Sequence, residues 1–280
     1  MTLAIHPHPE EENGETHLEY KLEPEEAWVE RIGLEDWTVR VGKFKAFLGK
    51  HNQLHTHSFP FIDAPLPHQM ILGEEGLNEV GLSAAYLTPL PWYSEVVIQA
   101  LQGENENLFA SAANDDVAGL MAWKNLWDFN DETTFEWTLS HVRGRGDGEE
   151  FNSLSGSAMT LKWKPSDSSR TQSLSWTLEG LYAELPEAAA NKRRGGYSTW
   201  IQYKVNRLWW VQFRHEYFGL PKEEEGITRK NSALVGYIPS EYSGLRLQYD
   251  NLRSPGASQA EQRVSLQLNV SMGAHPAHDY

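Results

Sequence analysis

Cysteine is absent from the 280 residues of this chain, which excludes disulfide bonds and thiolate metal sites. No apolar run approaches the roughly 18–20 residues that a membrane-spanning helix requires. The mean hydropathy of -0.56 shows that the apolar residues are dispersed along the chain. Positive charge is also scarce, with 24 Lys and Arg against 39 Asp and Glu and a net charge of -15. Because contacts to phosphates need clustered basic side chains, we expect no nucleic-acid partner.

The N-terminal sequence M-T-L-A-I-H-P-H-P-E-E-E-N-G-E has neither a basic segment nor an apolar one, so no signal peptide is visible. An exported protein would need such a signal. We therefore expect either that the chain is a fragment or a processed form lacking its true start, or that the protein is cytosolic.

Apolar and polar residues alternate strictly near the C-terminus, which predicts a strand with one apolar and one polar face. The chain then ends on the aromatic residue Tyr280. This arrangement resembles the C-terminal strand of bacterial outer-membrane β-barrels, in which the apolar face meets lipid and the polar face meets the lumen. The apolar phase contains Val264, Leu266, Leu268, Val270 and Met272, and the polar phase contains Arg263, Ser265, Gln267, Asn269 and Ser271.

The same alternation recurs in segments of about ten residues separated by turn-rich linkers, which is typical of a membrane β-barrel. We count about thirteen strands and predict an all-β, antiparallel transmembrane β-barrel of about 12–16 strands. The odd count indicates either a miscount or one or more missing N-terminal strands. Residues 1–26 are expected to form an acidic flexible lead-in and 27–280 a single outer-membrane barrel with a long loop at 49–76. The alternating segments are 37–42, 82–86, 95–99, 135–140, 159–164, 174–179, 199–205, 209–214, 245–250 and 264–272, with weaker ones at 28–33, 118–128 and 230–238.

The connections between these segments alternate in length. Short ones, such as 88–91 and 205–208, would be periplasmic turns, whereas long acidic ones, such as 103–117 and 219–229, would be extracellular loops. A soluble β-sandwich or a soluble ligand-binding β-barrel is the alternative, and it would need a packed apolar interior.

Several motifs in order resemble a group of poorly characterised bacterial outer-membrane proteins, often labelled zinc-regulated outer-membrane receptors. They are V-G-K-F-K at 41–45, H-T-H-S-F-P-F-I-D-A-P at 55–65, G-E-E-G-L-N-E-V-G at 73–81, L-T-P-L-P-W-Y-S-E at 87–95 and G-A-H-P-A-H at 273–278. The first of them is also similar to phosphate-selective porins, although the acidic charge of this chain does not match phosphate selectivity. The resemblance implies a Gram-negative, porin-like outer-membrane protein. It also leaves open a receptor or transporter for a metal such as zinc.

Side chains in the polar phase of the strands would line the pore, and Glu74 and Glu75 of the long loop would face Lys and Arg across it. Their mixed signs argue against selectivity by a ring of like charge. Because most of the net negative charge would then lie in outer loops, we expect a modest preference for cations. The pore-lining candidates are Arg40, Glu74, Glu75, Glu95, Glu136, Lys162, Lys204, Arg214, Glu216, Arg246 and Arg263.

The long loop at 49–76 is rich in histidine. A transition metal prefers imidazole ligands, and H-x-H on an extended chain places both rings on one side. The alternative is that these are ordinary loop histidines, because no established zinc spacing is present. The candidate metal ligands are His51, His55, His57, Asp63 and His68.

No nucleophile elbow, H-E-x-x-H or phosphate-binding loop occurs in the sequence. We therefore expect no enzymatic activity and no cofactor. The predicted function is passive passage of small hydrophilic solutes, with outer-membrane lipid and either such a solute or a metal ion as partners.

Overall fold

The computed structural model describes residues 2–12, 15–105, 107–111, 116–148, 150–168, 171–188, 191–221, 226–240 and 242–270. Antiparallel strands dominate these residues, which confirms the all-β prediction. None of the described helices has the combination of length and hydrophobicity that crossing a membrane requires. Met272, Tyr280 and the predicted G-A-H-P-A-H motif lie outside the described residues.

Fourteen strands form one sheet in chain order, which lies within the predicted range of 12–16. Each pairs antiparallel with its neighbours, and two short strands form a separate pair between the fifth and eighth. The strands are β1 Thr2–Glu12, β2 Glu15–Leu34, β3 Trp37–Lys45, β4 Asn78–Leu87, β5 Tyr93–Leu101, β6 Glu104–Asn105, β7 Phe109–Ala110, β8 Ala118–Asn130, β9 Thr133–Arg145, β10 Phe151–Trp163, β11 Ser173–Glu184, β12 Arg193–Lys204, β13 Trp209–Leu220, β14 Thr228–Ser240, β15 Ser243–Arg253 and β16 Glu261–Val270. Between β3 and β4 lie single 3-10 turns at His51–Gln53 and Thr56–Ser58 and a helix, α1, at Leu66–Leu72.

The structure differs from the sequence prediction at the N-terminus. The predicted flexible lead-in, residues 1–26, contains β1 and the first part of β2, which pair as a hairpin. Alternation of apolar residues reveals a strand with an apolar face. It does not reveal backbone pairing in a highly charged segment, which is why these strands were missed.

Most short connections lie at one end of the sheet and most long ones at the other, as predicted; the exceptions are 164–172 and 146–150. Residues 88–92, 131–132 and 205–208 connect strands at one end, called here the short-turn end. Residues 46–77, 102–117 and 221–227 connect them at the other, called the long-loop end. The segment 46–77 differs from the others because it folds back along the sheet.

The outer face of the sheet is apolar and exposed. Val264, Leu266 and Leu268 of β16 have exposed fractions of 68%, 69% and 69%, and they point away from the interior as predicted. The same phase is exposed on other strands. It includes Val41, Leu82, Ile98, Met121, Trp176, Ile201, Val211, Phe213, Val235, Leu245 and Leu247.

The inner face is largely polar and buried, so the sheet has the opposite polarity to that of a soluble barrel. The larger apolar core occupies the long-loop end, where Leu66, Ile71 and Leu72 of α1 join one cluster with inward side chains of the strands. A smaller cluster contains Phe61, Trp200 and Leu234. The buried polar inner residues include Gln99, Thr138, Ser140, Thr160, Thr177, Glu179, Ser198, Arg214, Glu216, Lys230, Ser232, Arg246, Gln248 and Asp250.

Candidate functional site

Residues 46–77, called here the internal segment, fold into the space enclosed by the sheet. We call residues 46–54 its descending limb, 55–60 its tip and 61–77 its returning limb. In the descending limb, the Gly49 amide donates to Ser140 Oγ at 3.1 Å. Gly49 has φ +56°, a conformation that favours glycine, and an added Cβ would collide with the Glu179 carboxylate. The Lys50 amide donates to Glu179 Oε1 at 2.8 Å, and Lys50 Nζ reaches Glu136 Oε1 at 3.0 Å. These contacts attach the start of the internal segment to inward side chains of β9 and β11.

The tip of the internal segment is fastened to β2 by one histidine. His55 Nδ1 lies 3.3 Å from Glu25 Oε1, and His55 Nε2 lies 3.1 Å from Glu26 Oε2. Its imidazole also stacks on His57, with ring centroids 5.4 Å apart. Hydrogen bonds to Glu25 and Glu26 raise the pKa of His55 to about 9. His55 is therefore a cation at neutral pH.

The returning limb is fastened through the Asp63 carboxylate. Arg214 Nη2 donates to Asp63 Oδ1 at 2.8 Å, and the Lys230 ammonium contacts Asp63 Oδ2. Gln248 Nε2 donates to Oδ1 at 2.7 Å, and Arg263 Nη2 lies 3.3 Å from Oδ2. Burial by itself raises the pKa of Asp63, but the positive charges of Arg214 and Lys230 outweigh it and hold that pKa well below its usual range.

Two more carboxylates complete this group. Arg214 Nε lies 3.0 Å from Glu216 Oε2, and Arg263 Nη2 lies 3.2 Å from Asp250 Oδ2. Asp63, Glu216 and Asp250 are thus balanced by Arg214, Lys230 and Arg263, and we call these six residues the ionic cluster. Arg214 is only 1% exposed and Glu216 is fully buried. Because water cannot solvate either charge, each one is stabilised by the opposite charge of its partner.

The internal segment contacts strands near both margins of the sheet. His55 meets β2, whereas Asp63 meets Arg263 of β16. Strands β5, β9, β11 and β13 contact it in between, through Gln99, Glu136, Glu179 and Arg214. The sheet therefore curls around the internal segment, although no ladder joins β16 to β1 or β2 among the described residues.

Two buried histidines, one from each limb of the internal segment, lie next to each other. The rings of His51 and His68 have centroids 4.9 Å apart, and His68 Nε2 lies 3.5 Å from Glu179 Oε1. Burial lowers the pKa of His51 well below its ordinary value, and the charge of a protonated His68 would lower it further. His51 is therefore neutral at physiological pH.

The predicted metal ligands do not come together. His51 and His68 share one place, His55 and His57 lie at the tip beside Glu25 and Glu26, and Asp63 belongs to the ionic cluster. Within the described ranges, no three His, Asp or Glu side chains are arranged to hold a metal ion. His55 and His57 do lie side by side, as the H-x-H spacing predicts. The imidazole of His55, however, contacts the carboxylates of Glu25 and Glu26.

Most of the predicted pore-lining residues face the interior, but two do not. Glu74 and Glu75 are exposed at the long-loop end, because α1 ends at Leu72 and Gly73 and Gly76 turn the chain outwards with φ +82° and +70°. The prediction that they oppose lumenal cations was wrong. The inward candidates are Arg40, Glu95, Glu136, Lys162, Lys204, Arg214, Glu216, Arg246 and Arg263.

Two cavities flank the internal segment. The first, called the basic cavity, has a volume of about 290 Å³ and lies toward the short-turn end, between the tip and β10–β16. Its ionisable lining residues include Lys50, His57, Lys162 and Arg246. The second, called the mixed cavity, has a volume of about 440 Å³ and is lined by both signs of charge. Its charged residues are Glu26, Glu30, Glu95, Arg40 and Lys45.

Sequence reasoning missed the aromatic wall of the basic cavity. Trp200 and Trp210 are buried and line it, although they lie in the predominantly polar phase of β12 and β13. A tryptophan in the polar phase is a usable signal, because a water-facing position does not favour so large an apolar surface. The alternation predicts that Glu179 faces inward, but nothing local distinguishes it as the residue that accepts hydrogen bonds from the descending limb.

Comparison with known proteins yields little functional information. No protein-family model matches the chain. An uncharacterised protein of Aquifex aeolicus (strain VF5) is 27% identical over 299 aligned positions, which cover 91% of this chain and 63% of that protein. The chain therefore spans less than two thirds of the length of this relative.

Proposed function

We propose that this chain is a membrane-spanning β-barrel of the outer-membrane type that allows small hydrophilic solutes to pass through its lumen. The observation that carries the proposal is the inverted polarity of the sheet, with Leu266 and Leu268 exposed outside and Arg214 and Gln248 buried inside. Water-soluble monomers rarely expose large continuous apolar surfaces. A lipid-facing band accounts for such a surface directly.

The strand lengths support the same proposal. The strands from β3 to β16 in the main sheet contain 9 to 13 residues. A tilted strand needs about 9–11 residues to cross the hydrocarbon core.

Exposed aromatic side chains near the short-turn end also support it. An aromatic girdle at the level of the lipid headgroups is a regular feature of membrane barrels. Trp37 and Tyr86 pack with ring centroids 4.8 Å apart, and Trp209 and Tyr237 pack at 4.9 Å. The exposed aromatics near strand ends on this side are Trp37, Tyr93, Phe129, Trp163, Trp209 and Tyr242.

In this proposal the internal segment regulates passage. Its ionic cluster holds the returning limb against the wall, while α1 and the apolar core obstruct the long-loop end. Solutes would pass when this limb moves away from the wall. The basic and mixed cavities would then form parts of the route.

Planar-bilayer recording of the purified chain tests the proposal. We expect small ohmic steps from the wild type and larger or longer-lived steps from Asp63→Asn, which weakens the attachment of the returning limb. Asp167→Asn removes an exposed charge in a short-turn connection and is the matched control, with conductance expected to remain at the wild-type value. Absence of conductance from both the wild type and Asp63→Asn, in preparations that are folded, would contradict passage.

A receptor that binds its ligand without forming an open pore is the second candidate. The apolar core that closes the long-loop end favours it, because a continuous dry cluster obstructs a hydrophilic solute. A folded barrel that stays closed in the bilayer experiment but binds a ligand with a defined stoichiometry would favour the receptor over the pore.

A further inference from the structure

We infer that the basic cavity is a binding site for a small organic anion that carries a flat apolar group. The site combines cationic side chains with aromatic walls in one enclosed space at the short-turn end. The cavity lies on the proposed solute route, but ligand binding to it can be measured without solute passage.

The charge of the cavity selects the sign of the ligand. Lys50, Lys162 and Arg246 line it, and no carboxylate is present among the described residues of its lining. Glu136, which pairs with Lys50 at 3.0 Å, also pairs with Lys124 at 3.0 Å, so one carboxylate is shared by two ammonium groups. The lining therefore has an excess of positively charged side chains, although the whole chain has a net charge of -15.

The aromatic wall selects the body of the ligand. Trp200 and Trp210 are 3% and 4% exposed, and Phe59 of the internal segment lines the same space. Lys204 Nζ lies 5.0 Å from the ring centroid of Trp210, which places a further cation beside this wall. A ring-sized apolar group can pack on these faces while its anionic group approaches the lysines.

The backbone of the tip is held in place beside the cavity. Arg246 Nη2 donates to the carbonyl oxygens of Phe59 and Pro60, at 2.8 and 2.5 Å, and Arg246 Nη1 donates to Gln267 Oε1 at 3.2 Å. Arg246 therefore positions Phe59 as well as contributing positive charge. A preformed wall reduces the ordering cost of binding.

Isothermal titration calorimetry of the folded chain in detergent tests the site with three probes: phenyl phosphate, inorganic phosphate and the neutral phenyl β-glucoside. We expect saturable binding of phenyl phosphate, with both other probes weaker by about tenfold or more, because each lacks one of the two recognised groups. Equal affinity for phenyl phosphate and phenyl β-glucoside would overturn the role of charge. Equal affinity for phenyl phosphate and inorganic phosphate would overturn the role of the aromatic wall.

Two variants locate the binding. Lys162→Gln should weaken phenyl phosphate binding about tenfold or more by removing one charge-assisted contact. Arg40→Gln removes a cation from the mixed cavity and is the control, with affinity expected to stay at the wild-type value. If both variants bind as tightly as the wild type, or if Arg40→Gln alone weakens binding, the basic cavity is not the site. A near-ultraviolet circular dichroism spectrum identical to that of the wild type establishes that each variant is intact.

Discussion

The two limbs of the internal segment are held against the sheet by different kinds of interaction. The descending limb is held mainly through backbone amides, which donate to neutral side chains such as Gln99 and Ser140 and to the Glu179 carboxylate. The returning limb also has backbone contacts, because the amides of Ile62 and Leu66 donate to Gln248 and Glu216. In addition, its Asp63 carboxylate contacts three cations of β13, β14 and β16. This buried ionic cluster is the contact that distinguishes the returning limb from the descending one.

This difference indicates which limb can be released. Removing one amide hydrogen bond leaves the other contacts of the descending limb in place. Neutralising or removing one charge of the ionic cluster leaves the remaining buried charges unbalanced, so the change affects the whole group. The returning limb is therefore the sensitive side of the internal segment.

The largest effect is expected from Arg214→Met. This change removes the 1%-exposed cation that pairs with both Asp63 and Glu216. We expect the free energy of unfolding to fall by about 3–5 kcal/mol, as for other buried ion pairs that lose one partner. Guanidinium titration followed by tryptophan fluorescence measures the change.

The matched control is Arg193→Met. Arg193 pairs with Glu184 at 3.3 Å, but the two side chains are 67% and 46% exposed. An exposed pair contributes about 0–1 kcal/mol. If both variants lose a similar free energy of unfolding, burial does not make the ionic cluster more stabilising than an exposed ion pair.

An intermediate, pH-dependent effect is expected from His55→Gln. The folded pKa of about 9 exceeds the ordinary value of 6.5, so the stabilisation by Glu25 and Glu26 is complete below pH 6.5 and is lost as the pH rises through 9. After discounting for partial exposure, we expect the variant to lose about 2 kcal/mol at pH 6. Wild type and variant should converge at pH 10. A constant difference between pH 6 and pH 10 would show that the histidine acts by packing alone.

The sequence predicted the faces of the strands better than the contacts of the internal segment. Strict alternation placed Leu266 and Leu268 outside and Arg214 and Glu216 inside, because a period of two has only two possible phases. The same rule could not pair Asp63 with Arg214, which is 151 residues away in the chain. Such a contact depends on where the internal segment turns, and no local pattern specifies that position.

The wrong predictions about the loop at 49–76 have a common physical origin. The sequence predicted that Glu74 and Glu75 face cations across the pore, and the H-x-H spacing suggested a metal site as one alternative to ordinary loop histidines. Neither observation specifies the direction in which the chain runs. The positive φ angles of Gly73 and Gly76 carry the two glutamates outwards. His68 of α1 lies beside His51, whereas Asp63 contacts cations of β13, β14 and β16.

The smallest effect is expected from Gln99→Leu on the descending limb. Gln99 Oε1 accepts from the Phe47 amide at 3.0 Å, and Gln99 Nε2 donates to Ser83 Oγ at 3.0 Å. Losing the first bond should reduce the free energy of unfolding by about 1 kcal/mol, since an intramolecular hydrogen bond contributes that much net. Ser83→Ala removes only the second bond, and because both side chains line the mixed cavity, water can replace the lost partner. We therefore expect Ser83→Ala to cost less than Gln99→Leu in the same guanidinium titration. A loss for Gln99→Leu as large as that for Arg214→Met would contradict the distributed attachment of this limb.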